Sequence, residues 1–468
     1  MKTLFNSLRL AFLTLLLTKS ASFAQSQITI GNTPVKVDTL ITGLDVPWEI
    51  RYHKGSLWAT ERKGIVSRID TASGEKKVLL RLTGTVVQQA ESGLLGLALH
   101  PDFATNPEVF LAYTYLNGGL IRERIVKYRY ENDTLINPTV LLNDLPGNGT
   151  HNGCRLFFMS DTTLLASTGD VQNLSLPQDT SALSGKMLRM RTDGSVPADN
   201  PFPGNLVYSM GHRNVQGLTP LPDGRMVMSE HGASTDDEVQ VLKAGRNYGW
   251  PNVEGYCNSP SEISYCTNFQ VVEPMQAYTP TIGPSDVIFY QNPLFPEWHN
   301  AILLTVLKNK QVRALRLNET FDSVLTDIAY LSNRFGRLRD IAIGENKEIY
   351  LATNGASWAN TDANTHSIIR IRPQAGITGI RNKETEKPRL QLQPNPSSGE
   401  IQYRIDGFDG QSFRMELLNS AGKCVFSEAF EMRAGKISFR ERTVTGLYLL
   451  RVLDENGRSL AAERLLMN

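Results

Sequence analysis

Several short polar clusters, each at the start or end of an apolar run, hold residue types that chemistry needs. His151-Asn152-Gly153-Cys154-Arg155 precedes one such run and Gly169-Asp170 ends it. Gly211-His212-Arg213-Asn214 precedes another, and Ser229-Glu230-His231-Gly232 ends that one. An unperturbed imidazole titrates near ~6.5, so a His between a Gly-rich loop and a strand could accept a proton at neutral pH; a lone His is more often structural. Asp236, Asp237 and Glu238 follow, then Asn247-Tyr248-Gly249-Trp250-Pro251. Calcium collects carboxylate and backbone oxygens, so the acidic trio beside Gly232 suggests a hard-cation site. A solvated acidic turn fits the same residues. Lys308 ends a later run, and Arg337 and Arg339 precede the next. Such cations suit a small polyanionic ligand, although pairing with surface acids is commoner. No G-x-S-x-G, H-E-x-x-H, Walker or dinucleotide fingerprint occurs, so serine esterase, zincin and NAD readings lose their usual support.

The elements that must position these residues form a repeat. A turn-like cluster is followed by a short β-prone run at Gly55–Thr60, Asn106–Ala112, Thr163–Ser167, Asp223–Met228, Asn300–Leu304 and Lys347–Ala352. After each comes a second strand signal, often alternating apolar with basic: Ile65–Ile69, Ile125–Arg129, Met187–Arg191, Val239–Leu242, Val312–Leu317 and Ile368–Arg372. Period-two alternation marks a strand with one packed face, so the arginines are expected on solvated faces. Six such units with little helical pattern between them predict an all-β fold, a six-bladed β-propeller over residues 25–373. Loops at one end of the blades then converge on the central channel. Residues directly after the inner runs are the ones to inspect for chemistry.

Outside that region, Lys2 and Arg9 form a basic stretch ahead of the apolar Leu10–Leu17, and Ser22-Phe23-Ala24 offers small residues at a cleavage site. This predicts a signal peptide over residues 1–24, against a buried N-terminal helix. The run is too short to span a bilayer and no other is long enough, so no transmembrane segment is expected. Residues 374–389 read as a polar linker, and residues 390–468 as a small C-terminal β-sandwich. A net charge of +1 leaves no basic footprint for nucleic acid. Of four cysteines, Cys257 and Cys266 bracket a polar loop and are expected to pair in an oxidising compartment. Without a C-x-x-C-H there is no covalent haem, so any redox chemistry must pass electrons to a separate acceptor.

In this order the motifs resemble the soluble PQQ-dependent glucose and aldose sugar dehydrogenases (PQQ, pyrroloquinoline quinone). The landmarks are Gly43-Leu44-Asp45-Val46-Pro47-Trp48, Gly93-Leu94-Leu95-Gly96, His100-Pro101-Asp102-Phe103, the H-x-G-x-R of His151–Arg155, Gly211–Asn214, Ser229–Glu238 and Asn247–Pro251. The resemblance runs from about Leu44 to Arg372 and implies oxidation of an aldose C1 hydroxyl to an aldonolactone. It makes His151 the base, Asp170 its orienting carboxylate, and Arg213 and Asn214 contacts to the quinone. Lys308, Arg337 and Arg339 would hold the cofactor carboxylates. Gly232 and Ala233 would offer carbonyls to the Ca²⁺ that binds PQQ, and Glu238 and Tyr248 match a second Ca²⁺ site. Ala233 stands where the family often has Pro, and Glu91, facing the cofactor, where glucose-oxidising members carry Gln. Hedgehog-interacting proteins share the propeller without being known as quinoproteins. A non-catalytic Ca²⁺-stabilised surface propeller that binds glycans or proteins is therefore the other class to weigh. A lactone hydrolase would need carboxylates crowding the channel, which this pattern lacks. Residues 390–468, with Pro394-Asn395-Pro396-Ser397-Ser398-Gly399 and Gly446-Leu447-Tyr448, resemble the type IX secretion sorting domain of Bacteroidetes. That implies the type IX secretion machinery as a partner and a secreted or cell-surface protein.

Overall fold

The computed structural model of the chain describes residues 28–355, 366–374, 389–406, 412–432, 434–439, 445–454 and 459–468. The expected signal peptide, and all but the ends of the expected linker, lie outside these residues. The chain divides into two compact units, with the break between Gln374 and Ala375.

The first unit is a ring of six antiparallel sheets. Blade 1 comprises Pro47–His53, Ser56–Glu61, Ile65–Asp70 and Lys76–Arg81; blade 2 comprises Leu94–Leu99, Glu108–Asn117, Leu120–Glu131 and Thr134–Pro146. Blade 3 is Gly153–Phe158, Leu164–Thr168, Lys186–Met190 and Val207–Met210, and blade 4 is Val215–Pro220, Met226–Glu230, Asp237–Leu242 and Gln276–Tyr278. Blade 5 is Pro284–Tyr290, Ala301–Val306, Gln311–Leu317 and Val324–Tyr330. Blade 6 takes Leu338–Ile343, Ile349–Thr353 and Ser367–Pro373 from the end of the unit and its fourth strand, Thr33–Thr42, from the beginning, with the two-residue strand Thr29–Ile30 at its edge. That pairing, from Val35 opposite Pro373 to Thr42 opposite Ser367, closes the ring between distant parts of the chain. First strands of neighbouring blades touch all the way round, from blade 1 to blade 6 and back.

Six apolar clusters, one between each pair of blades, take the place of a single core. Leu164 and Ala166 pack toward blade 2 while Leu165 packs toward blade 4. Ile302 and Leu304 likewise face blade 4, and Ala301 and Leu303 face blade 6. A strand buried on both faces needs apolar residues at consecutive positions, which is why Leu164–Thr168, Ala301–Val306 and Ile349–Thr353 are buried throughout. Each fully buried Leu or Ile contributes roughly 1.5–3 kcal/mol. These repeat runs are the second strands of their blades, not the innermost. The first strands were less legible because they carry charge toward the axis.

At that axis Arg155 is fully buried. Its Nη1 lies 2.6 Å from Asp340 and 3.1 Å from Glu49, and its Nε donates to the Gln216 carbonyl at 2.6 Å. Four first strands are thus tied across the channel, and the surrounding carboxylates hold the guanidinium proton more tightly than usual. The third-strand cations are not simply solvated either. Arg313 pairs with Asp327 at 2.8 Å, Lys127 with Glu108 at 2.9 Å, and the largely buried Arg189 with Asp161 at 2.6 Å. Acids on neighbouring strands and turns meet these basic positions, correcting the solvated-face expectation.

The second unit packs Arg389–Gln393, Glu400–Asp406 and Ala434–Ser438 as one sheet. Its other sheet comprises Cys424–Phe430, Phe413–Leu418, Gly446–Leu453 and Ser459–Met467. The two share a core that includes Ile401, Tyr403, Phe413, Met415, Phe439 and Leu450, as expected of a small sandwich. No helix among the described residues is long and apolar enough to cross a membrane.

Candidate active site

Because first and second strands of a blade run antiparallel, the residue before one and the residue after the other meet at the same end. Gly153 pairs with Thr168, Val215 with Glu230, Pro284 with Val306, Leu338 with Thr353 and Pro47 with Glu61. His151, Asp170, Arg213, Asn214, Gly232, Ala233, Lys308 and Arg337 therefore collect at one end of the channel. Glu91 joins them ahead of Leu94–Leu99.

His151 and Asp170 are in direct contact, with Nδ1 2.8 Å from Oδ1. The pair depends on a close backbone crossing: a Cβ at Gly169 would lie 1.8 Å from the His151 carbonyl oxygen. Asp170 is buried, and it also accepts the Gln172 N–H at 2.8 Å and the Trp250 indole N–H at 2.9 Å. With donors on both oxygens the carboxylate is an acceptor throughout, so His151 presents Nδ1–H to it and keeps Nε2 as a lone-pair base. The His151 side chain is 16% exposed, which leaves it reachable. Arg213 stands over the Trp250 ring, its guanidinium carbon 5.3 Å from the ring centre, and donates to the His231 carbonyl at 3.2 Å. Asn214 accepts from Gly153 N–H and Gln216 Nε2, both at 3.1 Å, while its own buried Nδ2 has no partner.

Beside this group lies a cavity lined by Val46, Arg62, Glu91, Arg337, Arg339, Asn354 and His366. Glu91 joins the two regions by accepting the His151 backbone N–H at 3.3 Å. Three guanidiniums face one carboxylate there. Arg339 is buried; its Nη1 donates to Gln216 Oε1 at 2.8 Å, and its guanidinium lies 5.6 Å from the Trp48 ring, which Arg155 approaches to 4.4 Å. Burial and the neighbouring Arg337 push the Arg339 pKa down to about 9. Arg62 and Arg337 are lowered too, chiefly by burial, with Glu91 opposing. A site that holds cations this reluctantly favours an anion. The buried Nε of Arg62, Nε of Arg339 and Oδ1 of Asn354 have no hydrogen-bond partner. Two unpaired guanidinium donors amid an excess of positive charge fit a small polycarboxylate such as PQQ.

Lys308 is placed differently. It is exposed at the same end, its Nζ donating to Thr281 at 2.8 Å, and does not line this cavity.

Three of the four expected metal residues, Gly232, Glu238 and Tyr248, share one cavity. Gly232 donates its N–H to Asp237 at 2.8 Å, and the carbonyls of Gly232 and Ala233 accept no hydrogen bond among the described residues. Gly232, Glu238 and Tyr248 line that cavity with Arg213, Glu230, Asp236, Trp250 and Glu254. Burial and Glu230 push the Glu238 carboxyl well above its usual range. Crowded, desolvated carboxylates of this kind fit a cation. The Tyr248 hydroxyl is already spent, donating to the Val241 carbonyl at 2.7 Å and accepting the Lys243 N–H at 2.8 Å, so only its backbone remains to offer. Among the described residues no group of three His, Cys, Asp or Glu side chains is arranged to hold a metal.

Cys257 and Cys266 are disulfide-bonded, with Cα atoms 6.4 Å apart. The segment between them is helical rather than a loop, part of the helix Pro260–Phe269. Its start is set locally: Ser259 and Glu262 form a reciprocal capping box around Pro260. Arg62 and Trp250 were not singled out from the sequence as site residues. Arg62 directly follows a repeat run and its closing Glu61, and Trp250 sits inside the N-Y-G-W-P motif.

Residues 44–360 match the family described as Glucose / Sorbosone dehydrogenase. Quinoprotein glucose dehydrogenase B of Acinetobacter calcoaceticus is 28% identical, covering 68% of this chain and 87% of its own. Aldose sugar dehydrogenase YliI of Escherichia coli is also 28% identical, covering 69% and 91%. The PQQ-bound aldose sugar dehydrogenase of Streptomyces coelicolor superposes with a TM-score of 0.64 at 30% identity, over 73% of this chain and 98% of that one. The chain belongs to the glucose/sorbosone dehydrogenase family.

Proposed function

We propose that this protein is an exported quinoprotein dehydrogenase that oxidises the C1 hydroxyl of an aldose to an aldonolactone, with PQQ and Ca²⁺ as cofactors. The observation that carries this reading is the cavity of Arg62, Arg337 and Arg339 joined through Glu91 to an oriented His151–Asp170 pair. A pure binding protein has no need of both. The relatives named as quinoprotein and aldose sugar dehydrogenases support it.

Bound PQQ would supply the two-electron acceptor for hydride leaving sugar C1, and Ca²⁺ held by the Gly232 and Ala233 carbonyls would act as a Lewis acid. His151 Nε2 takes the C1 hydroxyl proton, and Asp170 stabilises the imidazolium that results. Arg213 sets a cation where negative charge develops, and Asn214 Nδ2 offers a free buried donor beside it. Arg62, Arg337 and Arg339 hold the cofactor carboxylates, with Lys308 contributing from the rim. Electrons then pass to an external acceptor. The signal peptide over residues 1–24 and a type IX sorting domain over residues 390–468 would direct secretion and be removed. Mass spectrometry of exported protein should show both absent; a retained C-terminus would refute the sorting role.

The catalytic test is dye reduction by protein reconstituted with PQQ and Ca²⁺ across a panel of aldoses. Wild type should reduce the dye with at least one sugar. His151→Gln should lose ~10² to 10⁴ in kcat, the usual worth of general-base assistance, with PQQ binding unchanged. No reduction with any aldose would overturn the proposal.

A further inference from the structure

A third cavity opens at the same end of the propeller, outside the ring of first strands. Gln178, Phe202, Met210, Gly245, Arg246, Asn247, Tyr265, Phe269 and Gln270 line it. Its position follows from strand register: Thr168 pairs with Lys186 and Lys186 with Met210, so Met210 stands at the end where Asp170 follows Thr168.

One wall is the disulfide-tied helix Pro260–Phe269, none of whose residues is buried. A helix this short is marginal in isolation, and here its capping box and the Cys257–Cys266 bond, not a core, hold it in place. Its apolar side chains stay in water: Ile263 is 51% and Phe269 56% exposed. Tyr265 and Phe269 form a ring pair with centroids 4.4 Å apart. The opposite wall is amide. Gln178 accepts from Tyr265 OH and Asn247 Nδ2, both at 2.8 Å, and donates to Asn247 Oδ1 at 3.0 Å and the Trp250 carbonyl at 2.7 Å.

No carboxylate lines the cavity, and its one cation, Arg246, is engaged with Gln270. Exposed ring faces beside amides and one guanidinium, with no carboxylate, suit a ligand that has apolar C–H faces and a rim of hydroxyls. We infer that this cavity is a subsite for a glycosyl unit of a neutral oligosaccharide, stacked on Tyr265 and Phe269. The inference deepens the sugar-oxidation reading and rests on it for the choice of ligand. Trp250 links the cavity to the candidate base: its carbonyl accepts from Gln178 and its indole N–H donates to Asp170.

The test uses the full chain without added cofactor, so it reads binding whether or not the protein oxidises sugars. Saturation-transfer NMR and calorimetry with maltotriose and with cellotriose should show binding of at least one. The double variant Tyr265→Ala/Phe269→Ala, which removes no buried side chain, should weaken that binding at least tenfold with circular dichroism unchanged. Absence of binding for both trisaccharides would overturn the inference, as would equal binding by the double variant. Failure of dye reduction alongside intact trisaccharide binding would count against the dehydrogenase reading and leave the subsite standing.

Discussion

Replacing Asp170 by Asn tests the orientation of the base more sharply than removing the base itself. The Asp170 carboxylate is met only by donors: His151 Nδ1 and Gln172 N–H at Oδ1, and Trp250 Nε1 at Oδ2. An amide has one acceptor oxygen. If that oxygen faces His151, the new NH₂ meets the indole N–H, and a buried donor goes unpaired at a cost of about 1–3 kcal/mol. If it faces Trp250 instead, NH₂ meets Nδ1 and drives the proton to Nε2, where a base is needed. In both cases the negative charge that would stabilise the imidazolium is gone. At roughly 4 Å and an effective dielectric near 20, that attraction is worth about 4 kcal/mol, or ~10³ in rate. Asp170→Asn should therefore lower kcat by ~10² to 10³ in stopped-flow dye reduction, while the PQQ dissociation constant moves less than about threefold. Nitrogen-15 NMR of His151 should show a changed tautomer population. A kcat within threefold of wild type, in a protein that turns over aldoses, would refute the orienting role.

Arg62→Ala should weaken PQQ binding by ~10- to 100-fold, the worth of one charge-assisted contact, and Lys308→Ala by less, because Lys308 lies outside the cavity; fluorescence titration ranks the two. Glu91→Gln removes the one acid among the residues lining that cavity and should tighten PQQ binding in the same titration; weaker binding would place the cofactor elsewhere. Lys186, buried with its ammonium donating to the Leu176, Pro177 and Ser184 carbonyls, should give a pH signature. Burial pushes its pKa from 10.5 down to about 8, so the unfolded chain binds more protons between those values, and stability rises with pH across that window. Urea unfolding at pH 7 and pH 10 should therefore show wild type gaining on Lys186→Met at the higher pH, and no gain would contradict the shift.

The chain's own order of residues determined the architecture and much of the site. Second strands are buried on both faces, so each had to be a continuous apolar run, and six such runs specify six blades. Turn and cap chemistry is local too: four residues, Ser259–Glu262, carry the start of the helix, although the segment was expected to be a polar loop. The pairing of His151 with Asp170, nineteen positions apart, was implied by the family resemblance; its physical reason is that the two flank one hairpin, whose strand pairing brings its two ends together. Long-range closure was decided only in three dimensions. The fourth strand of blade 6 comes from Thr33–Thr42, because hydrogen bonding of the last sheet edge rewards any strand that satisfies it. Arg62 and Arg339 meet only through the curvature of the ring, and Lys308, equally cationic, is left outside at the rim. Trp250 reaches Asp170 from eighty residues away; nothing in its neighbours along the chain marks it as the donor that fixes the carboxylate. Sequence sets which residues can pair within a blade, while the packing of blade against blade sets which charges share a dielectric and therefore which can act together.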